Sequence, residues 1–319
     1  MFVRSTLVAL LCGAAVTTVQ ANEIAPARLF SWHVDGYAGI YGFLRDSFNP
    51  RVSPDRTALG LVARLNVPVT AGWNVQLDGA YDNDVNGLRF SLPGDPDDTR
   101  HDLESFGGAT HLYWRDPERF AAGVFASYTH FETFDLTSYD PVGDTYTAGK
   151  FGNSRLSGGV EGQYFWGPVT LYGQGYVGER RGSAFVDTGL ARAQLQYDFW
   201  GVRAIARYFP IANLKLEAEV GYAQEQISSN PDLSNYTTNT VRLAAQATYR
   251  FAETPFAIHA RYQFEDPSQE GGEIFGIAPA STQKILVGLR MAFGSSTLLE
   301  EDRNGASLDT AQRNSVLRR

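Results

Sequence analysis

Very short connections alternate with long ones along this chain, and that alternation restricts its fold more than any single residue does. Between His33 and Phe293, amphipathic runs of roughly 10 residues follow one another. Residues 56–70 lead into 73–82 through Ala71 and Gly72, and 106–115 lead into 120–131 through 116–119. Residues 156–166 turn at Gly167 and Pro168 into 169–179; 199–209 turn at 210–213 into 214–226; and 241–251 turn at 252–255 into 256–265. The other connections are long and polar: 46–54, 83–104, 132–155, 180–189, 228–239 and 266–281. A soluble β-sandwich has no reason to sort its connections by length. A transmembrane β-barrel does, with short turns on one side of the membrane and longer loops on the other.

The runs alternate with a period of two, as a sheet with one wet and one apolar face requires. Leu59, Leu61, Ala63, Leu65 and Val67 share a face opposite Gly60, Arg64 and Asn66. Leu214, Leu216, Ala218, Val220 and Tyr222 oppose Lys215, Glu217 and Glu219. Val241, Leu243, Ala245, Ala247, Tyr249 and Phe251 oppose Arg242, Gln246, Thr248 and Arg250; Phe256, Ile258, Ala260, Tyr262 and Phe264 oppose His259, Arg261 and Gln263. Runs this long suit a tilted membrane strand of about 9–11 residues. No apolar run beyond the N-terminus is long enough for a membrane helix.

Aromatic placement points the same way. Trp73, Trp114, Phe120, Trp166, Phe209, Phe251, Phe256 and Phe293 lie at or beside the short-turn ends, while Tyr41, Tyr81, Tyr128 and Tyr222 lie towards the long loops. Two aromatic girdles are the expectation for a barrel that crosses two membrane interfaces. The belt on the short-turn, periplasmic side is assigned to Trp73, Trp114, Trp166, Phe209, Phe251 and Phe293.

The ends read differently from the middle. Arg4, an apolar stretch at 7–16 and Val19-Gln20-Ala21, with no acid before Glu23, form a secretory signal over 1–21, with cleavage after Ala21. A lipoprotein reading through Cys12 would split the apolar stretch. Cys12 is the only cysteine, so the mature chain holds no disulfide. The barrel is expected over 22–293. The remainder, 294–319, is polar and includes Glu300-Glu301-Asp302-Arg303-Asn304-Gly305. Gly305 comes too early for a calcium loop. A disordered or weakly helical periplasmic tail is preferred over a plug entering the barrel.

The final run, 282–293, carries Ile285, Val287, Leu289, Met291 and Phe293 on one face, with Lys284, Gly288 and Arg290 on the other. An apolar alternation ending in phenylalanine resembles the C-terminal insertion signal of Gram-negative outer-membrane proteins, although here the chain continues to Arg319. With its signal segment, the chain resembles the porin-like outer-membrane β-barrel proteins of proteobacteria. The resemblance implies an all-β, antiparallel up-and-down barrel that is recognised by the barrel-assembly machinery and sits among outer-membrane lipid and lipopolysaccharide. Counting runs gives twelve strands, with ten and fourteen left open. Leu195 and Tyr197 break parity with Trp200 and Val202, so a bulge or extra turn is expected near Asp198. Further strands would hide in 87–90 or 145–151.

With the apolar parity outward, the lumen receives Asp78, Glu161, Arg203, Arg207, Lys215, Glu217, Glu219, Arg242, Arg250, His259, Arg261 and Arg290. Charged lumen residues tune selectivity in such barrels. The expectation is a passive porin-like channel for small polar or charged solutes, with an arginine bias favouring small anions. The blander account is a wall network of ion pairs that stiffens the barrel. Acidic loops carrying Asp95, Asp97, Asp98, Asp135, Asp140 and Asp144 face outward, to bind divalent cations or remain solvated. Homo-oligomers stay open, as does the rival reading of a closed structural or adhesive barrel with binding loops.

A rim lipid hydrolase needs a serine and histidine on one face. Ser127 and His130 are three apart and point oppositely, His111 has no serine at a two-residue offset, and His101 lies in a long loop beside Asp102. His33 and His259 are expected to hydrogen-bond within the lumen wall. No metal-ligand spacing or phosphate-cradling glycine motif stands in the sequence, so no cofactor is expected. The net charge of −8 argues against nucleic acid.

Overall fold

The structure is a computed structural model that describes residues 30–43, 56–70, 72–90, 99–140, 145–186, 191–227, 237–270 and 281–310. The expected signal segment, tail residues 311–319 and the loop acids Asp95, Asp97, Asp98 and Asp144 lie outside them.

Twelve strands form one closed barrel: β1 (Ser31–Phe43), β2 (Arg56–Pro68), β3 (Trp73–Phe90), β4 (Thr99–Asp116), β5 (Phe120–Asp140), β6 (Thr145–Trp166), β7 (Val169–Val186), β8 (Ala191–Ile211), β9 (Leu214–Ile227), β10 (Thr237–Arg250), β11 (Phe256–Glu270) and β12 (Thr282–Phe293). Each strand pairs antiparallel with its chain neighbours, and β1 closes on β12 from Trp32↔Phe293 to Phe43↔Thr282. Closure removes every sheet edge, the condition for strands to cross lipid. The short turns and both barrel termini lie at one rim. There Trp32 stacks on Phe293 with ring centroids 4.5 Å apart.

The two faces invert the pattern of a water-soluble protein. Leu61, Val160, Val202, Leu243, Val287 and Leu289 are exposed on the outside, while Arg64, Arg203, Arg207, Arg250 and Arg290 are buried inside. An apolar surface this continuous marks contact with lipid or protein. Trp73, Trp166, Phe251 and Phe293 face outward near the short-turn rim, and Trp114 packs its ring against Phe120 at 5.2 Å.

Three expectations about the wall need correction. Phe209 is 1% exposed and points inward, because strict alternation from Arg203 through Ile205 and Arg207 carries it inside. Tyr41 points inward for the same reason, in phase with His33 and Asp35. No bulge interrupts β7 and β8 near Asp198; their register runs unbroken from Val169↔Tyr208 to Val186↔Ala191. Tyr197 is instead a lumen residue whose ring lies 3.6 Å beneath the Arg180 guanidinium. The irregularity sits between Tyr208 and Ile211, opposite β9.

Several long connections are strand. Residues 87–90 and 145–151 extend β3 and β6 rather than adding strands. Likewise 132–140 and 145–155 are strand: β5 and β6 stay paired from Phe120↔Tyr164 to Asp140↔Thr145, with one shift between Leu136 and Ser138. A strand shows a period of two in the sequence only where one face is kept apolar, so these ends carry no such signal.

Candidate functional site in the barrel lumen

The chain turns back into its own barrel immediately after β12. Gly294 adopts φ +90, and a Cβ there would lie 2.4 Å from the Phe30 carbonyl oxygen. Glycine accepts this conformation at no steric cost. A short helix, α1 (Leu298–Asn304), follows. Its N-cap Thr297 accepts from the Glu300 N–H at 3.0 Å, and the Glu300 carboxylate accepts from the Ser296 N–H and hydroxyl at 2.6 Å. This reciprocal capping, with two acids in the first turn, gives seven residues a helical start.

Contacts with the short turns seat α1 inside the rim. The Leu299 N–H donates to the Ala212 carbonyl at 3.0 Å, and Arg303 donates to the Gly167 and Val169 carbonyls at 2.8 and 3.1 Å. Arg115 anchors the next stretch, donating to the Gly305 carbonyl at 2.6 Å and the Ser307 hydroxyl at 2.8 Å. Residues 298–309 are almost wholly buried. The preferred expectation of a tail outside the barrel is therefore corrected over 294–310: this stretch is a plug. Its acids looked solvated because the arginines that neutralise them come from strands far away in the chain.

Four arginines share one arrangement, each holding a wall carboxylate and a tail carboxylate. Arg203 meets Glu219 at 2.7 Å and Asp309 at 2.9 Å. Arg207 meets Glu217 at 3.0 Å and Asp302 at 2.8 Å. Arg290 meets Asp35 at 2.6 Å and Glu301 at 2.8 Å. Arg64 meets Asp78 at 3.5 Å and also contacts Asp309. Charge-assisted bonds of this kind are the strong class, and burial raises the cost of leaving any one unmade. Burial alone would raise the Glu301 pKa, but Arg290, with help from His33, outweighs it and holds the carboxyl at about 2.

The other expected lumen residues pair within the wall or at the rim. Arg242 meets Glu265 at 2.6 Å, Arg261 meets Glu219 at 2.6 Å, and Lys215 meets Glu217 at 3.3 Å. Arg250 donates to Ser295 at 3.2 Å and to the Thr254 carbonyl at 3.1 Å. Glu161 accepts from Tyr172 at 2.7 Å and lies 2.7 Å from His111, which is also 3.5 Å from Asp78. Ser127 bonds Ser157 inside at 2.7 Å while His130 packs on Phe106, so these two do point oppositely.

Sequence reasoning left Arg64, Asp35, Gln76, Tyr172 and Leu308 out of the site. Inward parity flags Arg64, Gln76 and Tyr172. Leu308 carried a weaker signal, as an apolar residue in an otherwise polar tail. Its side chain is 1% exposed and packs with Tyr113, Ala121, Phe165, Tyr172 and Ile205.

A closed twelve-strand antiparallel barrel with an apolar exterior and an ion-paired interior has the fold of the outer-membrane β-barrel proteins. No protein-family model matches the chain, and no curated protein matches its sequence. Among solved structures, the β domain of the Bordetella autotransporter BrkA superposes with a TM-score of 0.50 at 12% identity, covering 84% of this chain and 100% of that one. An outer-membrane channel from Pseudomonas putida F1 gives 0.49 at 13% identity, covering 84% and 96%. The translocator domain of the autotransporter NalP from Neisseria meningitidis gives 0.48 at 10% identity, covering 82% and 88%. At such identities the likeness is one of fold.

Proposed function

We propose that the protein is a porin-like channel of the outer membrane, reached through a cleaved signal segment, and that its own C-terminal tail holds it shut at rest. Solutes that are small and polar or charged pass downhill, and no chemical step is involved. The observation that carries this reading is the nature of the plug. A polar, tethered segment seated by ion pairs and hydrogen bonds fills the lumen, and such a segment can leave without unfolding the wall. Its departure removes Glu301, Asp302 and Asp309 and leaves Arg64, Arg203, Arg207 and Arg290 with wall partners and free donor edges, a bias towards anions. The apolar exterior meets outer-membrane lipid and lipopolysaccharide, and β12 with its terminal Phe293 is the strand offered to the barrel-assembly machinery.

The rival is a closed structural or adhesive barrel, supported by the wall pairs Arg242–Glu265 and Arg261–Glu219. Planar-bilayer recording decides between them. Chain 22–319 should conduct rarely, and a chain ending at Ser296 should show discrete, anion-preferring steps. Silence from both proteins, with folded barrels verified by their heat-dependent gel shift, would leave the closed barrel standing.

A further inference from the structure

We infer that the lumen contains a binding site for a short acidic peptide in which an apolar residue precedes an aspartate, and that Leu308 and Asp309 of the tail are its resident occupant. Three separate recognition elements meet at this point.

The first element is the pocket around Leu308, built by Tyr113, Ala121, Phe165, Tyr172 and Ile205 from five successive strands, β4 to β8. It is an apolar patch in a lumen whose neighbouring inward positions carry charges. The second reads the main chain. Gln76 donates to the Leu308 carbonyl at 2.8 Å and accepts from the Leu308 N–H at 3.1 Å, the two-point bond that one amide makes to an extended peptide. Gln174 donates to the Asp309 carbonyl at 3.0 Å, and the Tyr172 hydroxyl, its proton committed to Glu161, accepts from the Asp309 N–H at 3.4 Å. The third is the clamp on the Asp309 carboxylate, made by Arg64 and by Arg203 at 2.9 Å.

Wall contacts hold these groups in place independently of the tail. Arg203 is fixed by Glu219 at 2.7 Å, Tyr172 by Glu161 at 2.7 Å, and Gln76 by Asp78 at 2.7 Å. The site is therefore preorganised for a free ligand. A bare anion satisfies only the arginines. A peptide of the stated kind satisfies all three elements. The tethered tail competes at an effective concentration in the millimolar range, so a free peptide binds the intact protein weakly. Binding stands without conduction; passage of such peptides rests on the channel reading.

The test uses a fluorescent N-acetyl Ser-Leu-Asp-Thr amide, the sequence of residues 307–310, followed by anisotropy in detergent. Full-length protein carrying Asp309→Asn should bind it about tenfold more tightly than wild type, because the competitor has lost its charged contacts. A chain ending at Asn304 should bind it at least as well. In that shortened chain Arg203→Gln should weaken binding about tenfold, as should replacing the probe's Leu by Ser. Two results would overturn the inference: no binding at millimolar probe by either folded variant, or displacement of the probe by citrate as effectively as by unlabelled peptide. Conduction without peptide binding would defeat this inference alone, and peptide binding without conduction would defeat the channel alone.

Discussion

Arg203 and Asp309 stand 106 residues apart in the chain and 2.9 Å apart in the lumen, while the same guanidinium grips Glu219 at 2.7 Å. One side chain thus belongs to the wall and to the plug at once. Removing the tail acid leaves the arginine paired with the wall, so undocking of the plug would strand no bare guanidinium. Stripped of both partners, it would be a buried, uncompensated charge.

Asp302→Asn should loosen α1. It removes the ion pair to Arg207 at 2.8 Å and weakens the Thr170 hydroxyl bond at 2.5 Å. A charge-assisted bond contributes about 1.5–3 kcal/mol, so the undocked population should rise at least tenfold. Trypsin cleavage after the buried Arg303 should accelerate in proportion, since proteolysis follows the open population when reclosing is fast. An unchanged cleavage rate would mean that this pair does not seat the helix.

Acid should release the plug. The Glu301 carboxyl is depressed from 4.5 to about 2 in the docked state, facing Arg290 from β12, His33 from β1 and Lys215 from β9. A depressed pKa gives stabilisation that is fully present above 4.5 and fades as pH falls towards 2, here on the order of 3 kcal/mol at neutral pH. Bilayer conductance of the full chain should climb across that window. In Glu301→Gln the plug should already be loose at neutral pH and the acid step smaller; an identical step would assign the effect to other carboxyls.

Phe209→Ala and Phe251→Ala should behave differently although both residues lie beside short turns. Phe209 is 1% exposed inside the barrel, and its truncation should cost about 3–5 kcal/mol in urea-induced unfolding from vesicles. Phe251, 41% exposed on the outer belt, should cost clearly less. Equal losses would return Phe209 to the belt.

Val160→Arg probes the lipid face. Val160 is 64% exposed, six residues up β6 from the rim residue Trp166. A cation near the bilayer midplane costs about 2–4 kcal/mol, falling towards the interfaces. The substitution should lower folding stability in vesicles by that amount, and the penalty should shrink in thinner bilayers. A penalty independent of thickness would argue that this face meets protein.

The wall was legible because its code is local. Leu59 to Val67 or Val241 to Phe251 alternate at the pleat's own period, and a side chain's face follows from counting. The same count flags Arg203, Arg207 and Arg290 as lumen residues, and it would have placed Phe209 inside had parity been weighed above nearness to a turn. Strand ends beyond Asp82 and Glu132 escaped notice, because no face there is kept consistently apolar in the sequence. The plug left only faint traces: glycine directly after Phe293, a Thr297-to-Glu300 capping pattern, and leucines within an acidic tail.

By itself, then, the alternation in the sequence determined a barrel wall of ten to fourteen strands, with its oily side out and its charged side in, because pleat and hydrogen-bonding geometry act between near neighbours. Only the tertiary structure decided that the lumen is occupied and by what. Arg64 meets Asp309 across 245 residues and Arg290 meets Asp35 across 255. No periodicity records such distances; they exist only once the barrel has closed and brought its strands around the returning tail.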